Sequence, residues 1–144
     1  MKTYSLLLVL LLTIFATSCS GEQSKTSRTT LAPTEFAEKI RSLPSADLID
    51  VRTPEEYSGG HLKNAFNIDW NSESFDQKIS SLDKSKPILV YCRSGSRSSA
   101  AASRMRSSGF KEVYELLGGI MKWTTSGLPV TTAPPAARPQ SKAK

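Results

Sequence analysis

One short segment of this chain combines the residue types that nucleophilic attack on an anionic substrate requires. It reads Cys92-Arg93-Ser94-Gly95-Ser96-Arg97-Ser98, so a thiol is followed by two guanidinium groups, a glycine and three hydroxyl groups. A thiol with the usual pKa of about 8.5 is only about 3% ionised at pH 7, and a fall of about two units makes it mostly thiolate. We expect Cys92 to be such an activated nucleophile, open to solvent.

The residues on either side of this segment predict how it is positioned. Pro87 to Tyr91 is a continuous apolar run typical of a central strand in a parallel sheet, and residues 98–108 predict a helix. Ligands of open α/β sheets collect beyond the carboxyl ends of the strands, where loop N–H groups and a helix N-terminus attract anions. We expect these groups, with the side chains of Arg93 and Arg97, to lower the pKa of Cys92.

The remainder of the central region alternates short apolar strands with amphipathic helices. A capping box beginning at Thr53 predicts one further brief helix that ends at Gly59-Gly60. The other predicted strands cover residues 47–51, 65–68 and 113–117, and the other predicted helices cover residues 34–42, 75–82 and 120–125. This alternation predicts a three-layer α/β/α sandwich with a mostly parallel sheet of about five strands.

The composition excludes several classes of protein. With 144 residues, 38% hydrophobic and 22% charged, the chain is neither a polytopic membrane protein nor wholly disordered. The net charge of +6 comes from Lys and Arg spread along the chain, which favours small anions over nucleic acid. One histidine and two cysteines exclude a histidine-based metal site and a disulfide scaffold, so we expect neither metal nor cofactor.

The N-terminus predicts export from the cytoplasm. Residues 1–18 combine a positive start, an apolar run too short to span a bilayer and small residues before Cys19, as in a signal peptide. The segment Ala16-Thr17-Ser18-Cys19 resembles a bacterial lipoprotein signal, which implies an acylated Cys19 and a lipid anchor in a bacterial membrane, facing the periplasm or the surface. Ordinary cleavage, giving a soluble periplasmic protein, remains the alternative.

The composition also predicts where the folded domain begins and ends. Residues 19–30 contain no aliphatic or aromatic side chain after Cys19 and predict a flexible tether. Residues 131–144 are rich in Pro, Ala and Lys and predict a disordered tail. One folded domain, residues 31–130, is expected between them.

Four ordered motifs of this domain resemble those of the single-domain rhodaneses. They are Asp50-Val51-Arg52, Glu56-Tyr57-x-x-Gly60-His61-Leu62-x-x-Ala65, the loop that begins at Cys92, and Gly118-Gly119-x-x-x-Trp123. The resemblance covers about residues 31–130. One departure is Lys63-Asn64, where the family commonly has Pro-Gly, and Asn tolerates the left-handed backbone that such a turn uses.

The resemblance implies a sulfurtransferase. Cys92 would take a sulfane sulfur from thiosulfate or a related small anionic donor, form a persulfide and pass the sulfur to cyanide or a thiol, including a protein thiol. The donor and the persulfide would be held by Arg93, Ser94, Gly95, Ser96 and Arg97.

Other motif residues are expected to support the domain without taking part in the reaction. Asp50 and Arg52 are expected to form an ion pair behind the loop. We expect His61 to be a hydrogen-bonded turn residue and not a general base, and Trp123 to pack in the core.

Two other classes of function remain as alternatives. A non-enzymatic persulfide carrier or docking module of the same fold is the first. A cysteine phosphatase or arsenate reductase is the second, but their loop has the form Cys-x5-Arg, and here four residues separate Cys92 from Arg97. The shorter loop makes a smaller cradle, which suits a sulfur atom better than a phosphoryl group.

Overall fold

Short strands and helices alternate along the chain in the computed structural model, which describes residues 29–135. The strands are β1 (Thr30–Leu31), β2 (Asp47–Asp50), β3 (Phe66–Asn67), β4 (Ile88–Tyr91) and β5 (Val113–Leu116). The helices are α1 (Pro33–Ser42), α2 (Pro54–Ser58), α3 (Phe75–Ser80), α4 (Ser96–Ser107) and α5 (Gly119–Thr125). None of the helices within this part of the chain is long and apolar enough to cross a bilayer.

The five strands form one sheet with the order β1-β5-β4-β2-β3, and every neighbouring pair is parallel. β4 lies in the middle, and all four of its residues are buried. A parallel strand that is covered on both faces reads as a continuous apolar run, as this one does. The predicted fold class is confirmed, and the predicted central strand ends at the expected edge of the sheet.

Helices cover both faces of the sheet and divide the core into two clusters. One cluster joins the sheet to α3 and α4 through residues such as Ile79 and Met105. The other joins it to α1 and α5, where Phe36 meets Trp123 edge to face with the ring centroids 6.4 Å apart. The Trp123 indole N–H also donates to the Pro129 carbonyl oxygen at 2.9 Å, so this residue packs in the core as expected.

Two local predictions from the sequence are confirmed in atomic detail. At the start of α2 the Glu56 N–H donates to the Thr53 hydroxyl at 3.3 Å, and the Thr53 N–H donates to the Glu56 carboxylate at 3.1 Å. This reciprocal pair is the predicted capping box. Asn64 has a φ of 66°, so the turn that replaces Pro-Gly does adopt the left-handed backbone.

The folded region extends beyond both predicted limits. Thr30, which was expected in the tether, is part of β1 and pairs with Glu115 of β5. At the other end, Thr131 exchanges two backbone hydrogen bonds with His61, at 2.9 and 2.8 Å. The first residues of the expected disordered tail are therefore joined to the domain. The signal peptide, Cys19, most of the tether and residues 136–144 lie outside the described residues, and those predictions stay predictions.

Candidate active site

The Cys92 loop joins β4 to α4 at the carboxyl edge of the sheet. Gly95 has a φ of 106°, a left-handed value, and its carbonyl oxygen accepts the Ser99 N–H at 3.0 Å. Helix α4 therefore begins at Ser96, two residues earlier than the predicted residue 98. The difference places Ser96 and Arg97 in the first turn of the helix and not in the loop.

Hydrogen-bond donors from the loop and the helix surround the Cys92 sulfur. The Gly95 N–H donates to Sγ at 3.1 Å, and the Ser98 hydroxyl lies 3.5 Å from it. Burial raises the pKa of the Cys92 thiol, but hydrogen bonds from Ser98, Gly95 and Ser94 outweigh burial and hold the pKa below its ordinary value. The thiolate is thus stabilised mainly by hydrogen bonds, whereas the sequence suggested that arginine charges would contribute much of the effect.

The exposure of Cys92 differs from the expectation. The residue exposes only 1% of its surface and belongs to the core cluster on the α3 and α4 side of the sheet. It lies at the end of a strand that is buried on both faces, beneath a loop whose residues Arg93 and Ser94 are exposed. A reagent can therefore reach the sulfur only through an opening in this loop.

Helix α5 holds the loop from behind. The Ile120 N–H donates to the Cys92 carbonyl oxygen at 2.9 Å, and the Met121 N–H donates to the Arg93 carbonyl oxygen at 3.1 Å. The first N–H groups of a helix have no partner within the helix, so the start of α5 is well suited to bind carbonyl oxygens. Two loop carbonyls are therefore held by α5, while the Gly95 N–H of the same loop bonds to the sulfur.

Gly119 makes this close approach between α5 and the loop feasible. A Cβ atom added at Gly119 would lie 2.5 Å from the Cys92 carbonyl oxygen and from the carbonyl group of Arg93. The residue also has a φ of 60°, in the left-handed region that favours glycine. The second Gly of the Gly118-Gly119 motif is therefore required by packing against the loop.

The two predicted donor-binding arginines have different surroundings. Arg97 forms a bidentate ion pair with Glu56, with 2.7 Å from Nη1 to Oε2 and 2.9 Å from Nη2 to Oε1. The hydrogen bonds from Arg97 lower the pKa of Glu56 to about 2, despite the opposing effect of burial. Arg93 is exposed, and its guanidinium makes no hydrogen bond or ion pair within residues 29–135.

Asp50 and Arg52 form the expected ion pair next to this site. Arg52 binds the Asp50 carboxylate through Nη2 at 2.6 Å and through Nε at 3.0 Å, and it also donates to the Gly60 carbonyl oxygen at 2.7 Å. Asp50 is fully buried and Arg52 is 6% exposed. A pair this well satisfied fixes the turn at Gly60 relative to the end of β2.

His61 has a structural role, as expected. Its Nδ1 lies 2.9 Å from the Tyr57 carbonyl oxygen, and its Nε2 lies 3.0 Å from the Ala133 carbonyl oxygen. The ring also stacks on the Tyr57 ring at 3.8 Å. Both ring nitrogens are engaged with the backbone, so this histidine joins α2 to the C-terminal segment and is not placed to serve Cys92 as a base.

Two depressions in the surface are large enough for a small ligand. One, of 360 Å³, lies beside the loop and is lined by Arg93, Glu56 and the exposed apolar side chains of Met121 and Val130. A larger groove of 750 Å³ lies at the amino end of β2, around Leu48. Ligands of parallel sheets bind at the carboxyl ends of the strands, so the smaller depression lies on the expected side of the sheet, although Cys92 itself does not line it.

Comparisons with known proteins agree with this fold. The sequence model of the rhodanese-like domain family matches residues 32–126 of this chain. The chain is 39% identical over 94 residues to protein YqhL of Bacillus subtilis, covering 65% of this chain and 71% of that protein. It is 32% identical over 94 residues to the thiosulfate sulfurtransferase GlpE of Vibrio cholerae, covering 65% and 87% respectively.

A solved structure extends the likeness to three dimensions. The rhodanese-related protein of Thermoplasma volcanium matches with a TM-score of 0.65 and 27% identity, over 74% of this chain and all of that one. The fold and the site define an α/β protein with a single cysteine at the carboxyl edge of a parallel sheet. The chain belongs to the rhodanese-like family, whose members include proteins named as sulfurtransferases.

Three residues that shape the site were absent from the predicted set. The sequence places Ser98 at the junction of loop and helix, and Glu56 and Gly119 in family motifs, but predicts no role at the site for any of them. Ser98 is the third residue of α4, and a hydroxyl in the first turn of the helix that follows the cysteine is the signal that could identify it. No signal in the sequence pairs Glu56 with Arg97, because the two residues are 41 positions apart.

Replacing Ser98 by alanine tests the hydrogen-bonded thiolate. Since the hydroxyl lowers the pKa of Cys92, we expect Ser98→Ala to raise that pKa and to slow alkylation by iodoacetamide several-fold at pH 7. The pH dependence of the alkylation rate measures the change. Ser99→Ala is the matched control, because Ser99 is exposed and its hydroxyl makes no hydrogen bond within residues 29–135. Equal pH profiles for the two variants would contradict the role of Ser98.

Proposed function

We propose that this protein is a sulfurtransferase that moves a sulfane sulfur from thiosulfate or a related donor to a thiophilic acceptor through a persulfide on Cys92. The observation that carries the proposal is the hydrogen-bonded sulfur at the end of β4, with a pKa held below its ordinary value. Thiolate is the reactive form of a cysteine nucleophile, so this environment supplies the species that the reaction needs.

The reaction proceeds in two displacements. In the first, the Cys92 thiolate attacks the outer sulfur of thiosulfate, the S–S bond of the donor breaks and sulfite leaves with the bonding electron pair. In the second, cyanide or a thiolate attacks the outer sulfur of the Cys92 persulfide, and the Cys92 thiolate departs as the leaving group. No external oxidant or reductant is consumed, and each cycle restores the enzyme.

Fixed N–H groups of the loop stabilise both the thiolate and the persulfide of Cys92. The Gly95 N–H that bonds to Sγ belongs to the turn that starts α4, where unpaired amide groups and the helix dipole favour negative charge. A persulfide is also an anion, and the backbone N–H groups of Ser94, Gly95 and Ser98, which stabilise the thiolate, are available to cradle it. The exposed guanidinium of Arg93 provides a cation at the rim for an arriving donor.

Intact-mass spectrometry before and after addition of thiosulfate tests the proposal. We expect a gain of one sulfur atom on the protein, located on Cys92 by peptide mapping and removed by a reductant or by cyanide. The measurement also tests whether the buried Sγ can be reached. If Cys92 takes up no sulfur from thiosulfate or from an organic persulfide, the proposal is wrong and a non-enzymatic docking module of the same fold is favoured.

We also propose that the protein is exported and attached to a bacterial membrane by lipid at Cys19. The support is the apolar run that precedes the small residues Ala16-Thr17-Ser18 and Cys19. The same spectra, recorded on protein extracted from membranes, test this proposal. A mature chain that begins at Cys19 with an acyl increment supports it, and a soluble chain without that increment contradicts it.

A further inference from the structure

The guanidinium of Arg97 is already occupied by a carboxylate. Both of its terminal nitrogens bind Glu56, at 2.7 and 2.9 Å, in the bidentate geometry that gives arginine its strongest pairing. The pair is partly accessible, with the Arg97 and Glu56 side chains 25% and 28% exposed. An anionic donor that approaches the Cys92 loop therefore meets a neutralised arginine.

Glu56 is held in this position by more than the ion pair. Its Oε2 also accepts the Thr53 N–H at 3.1 Å, so the carboxylate is bonded to α2 on one side and to α4 on the other. Its pKa of about 2 keeps it ionised throughout the pH range in which a protein of this kind works. The carboxylate is therefore a permanent and well-fixed negative charge.

The charges around the reactive sulfur balance one another. Arg52 is paired with Asp50, and Arg97 is paired with Glu56. The remaining cation, Arg93, is exposed and has no carboxylate partner within residues 29–135, and its single positive charge is matched in number by the negative charge of the Cys92 thiolate. A doubly charged donor gains little from such a site, because no excess of positive charge is available to compensate for its two negative charges.

We propose that Glu56 is a specificity-determining residue. Because it neutralises Arg97, the site favours sulfur donors that are neutral or carry one negative charge over thiosulfate, which carries two. Organic thiosulfonates and persulfides are such donors. This inference rests on the proposed sulfurtransferase function. With a thiosulfonate, the Cys92 thiolate takes the outer sulfur and a sulfinate leaves with the electron pair, so the step balances as it does with thiosulfate.

Kinetics of Glu56→Gln with two donors of different charge provide the test. Glutamine keeps the hydrogen bond to the Thr53 N–H, since Gln also serves in a capping box, but it removes the charge. We expect the KM for thiosulfate to fall about three- to ten-fold, as a partly screened unit charge would give. The KM for the singly charged benzenethiosulfonate should fall by about the square root of that factor. The kcat values should change little.

Glu55→Gln is the matched control. It removes the same charge from the neighbouring residue, whose side chain is exposed and makes no ion pair within residues 29–135. We expect no change in either KM. A fall in KM that is equal for the two donors, or equal for the two variants, would overturn the proposal, because a structural effect of the substitution does not depend on donor charge.

A second measurement is independent of sulfur transfer. The ratio of the alkylation rates of Cys92 by anionic iodoacetate and by neutral iodoacetamide reports the electrostatic potential at the sulfur. Because iodoacetate carries one negative charge, we expect this ratio to rise in Glu56→Gln by about the square root of the factor for thiosulfate, as for benzenethiosulfonate, and to fall in Arg97→Gln, where Glu56 loses its partner. An unchanged ratio in both variants overturns the inference.

These two measurements separate the inference from the proposed function. If the wild-type protein takes up no sulfur but the alkylation ratio responds to Glu56, the sulfurtransferase proposal fails and the electrostatic role of Glu56 stands. If sulfur uptake is normal and neither KM nor the ratio responds, the specificity inference fails and the proposed function stands. If Glu56→Gln does not fold, the ratio of the two alkylation rates in Arg97→Gln still tests the inference. A rise of this ratio in Arg97→Gln would contradict the charge argument.

Discussion

Cys92→Ser is expected to abolish sulfur uptake and turnover while leaving the fold intact. A serine hydroxyl is not appreciably ionised at neutral pH, and its oxygen cannot form the persulfide on which both displacements depend. The hydroxyl is smaller than the thiol and fits the same space, and the loop keeps its backbone hydrogen bonds to α5. Steady-state turnover with thiosulfate and cyanide, together with thermal unfolding, measures both parts of the prediction.

The other cysteine supplies the control for this experiment. Cys19→Ser, made in protein that carries no lipid, removes the only cysteine other than Cys92 and is expected to leave sulfur uptake unchanged. Turnover above a few per cent in Cys92→Ser would count against the persulfide mechanism. Loss of turnover in both variants would instead indicate that the two thiols act together.

Gly119→Ala is expected to lower the free energy of unfolding by about 2–5 kcal/mol and to disturb the reactive loop. The new Cβ would meet the backbone of Cys92 and Arg93 at 2.5 Å, and backbone atoms cannot move aside as a flexible side chain can. The φ of 60° adds the cost of a left-handed alanine. Because the clash displaces the loop carbonyls, we expect the pKa of Cys92 to rise and sulfur uptake to fall. Denaturant unfolding and the alkylation profile measure these effects.

Gly127→Ala separates the clash from the backbone strain. Gly127 has a φ of 75°, but an added Cβ there would meet nothing within 4 Å. We expect the free energy of unfolding of this control to fall by only about 1–2 kcal/mol, the cost of the left-handed conformation. Its alkylation profile should not change. Equal destabilisation of the two variants would show that contact between α5 and the loop contributes nothing.

The two predictions concern the same backbone segment. The loop donates the Gly95 N–H to the sulfur, and the carbonyl oxygens of Cys92 and Arg93 accept N–H groups at the start of α5. A short loop can turn its amides toward an anion only if its carbonyls find donors elsewhere. The packing of α5 is therefore part of the activation of Cys92.

Local sequence patterns were sufficient to predict most of the fold. The apolar run that forms β4, the capping box at Thr53 and the left-handed Asn64 all follow from interactions between residues close in the chain. The two-residue strand β1 was missed because two residues carry no periodicity, and pairing with β5 defines it. The start of α4 was misplaced by two residues because the left-handed Gly95 allows the helix to begin closer to Cys92.

The sequence by itself determined that one cysteine ends the central strand, that a glycine and arginines follow it, and that the motifs are those of a rhodanese-like domain. Only the tertiary structure decided the immediate surroundings of that cysteine. Its burial, the pairing of Arg97 with Glu56 and the contact of Gly119 with the loop all join segments that are distant in the chain. Such contacts depend on how whole layers pack, and no short-range pattern encodes which side chains then meet.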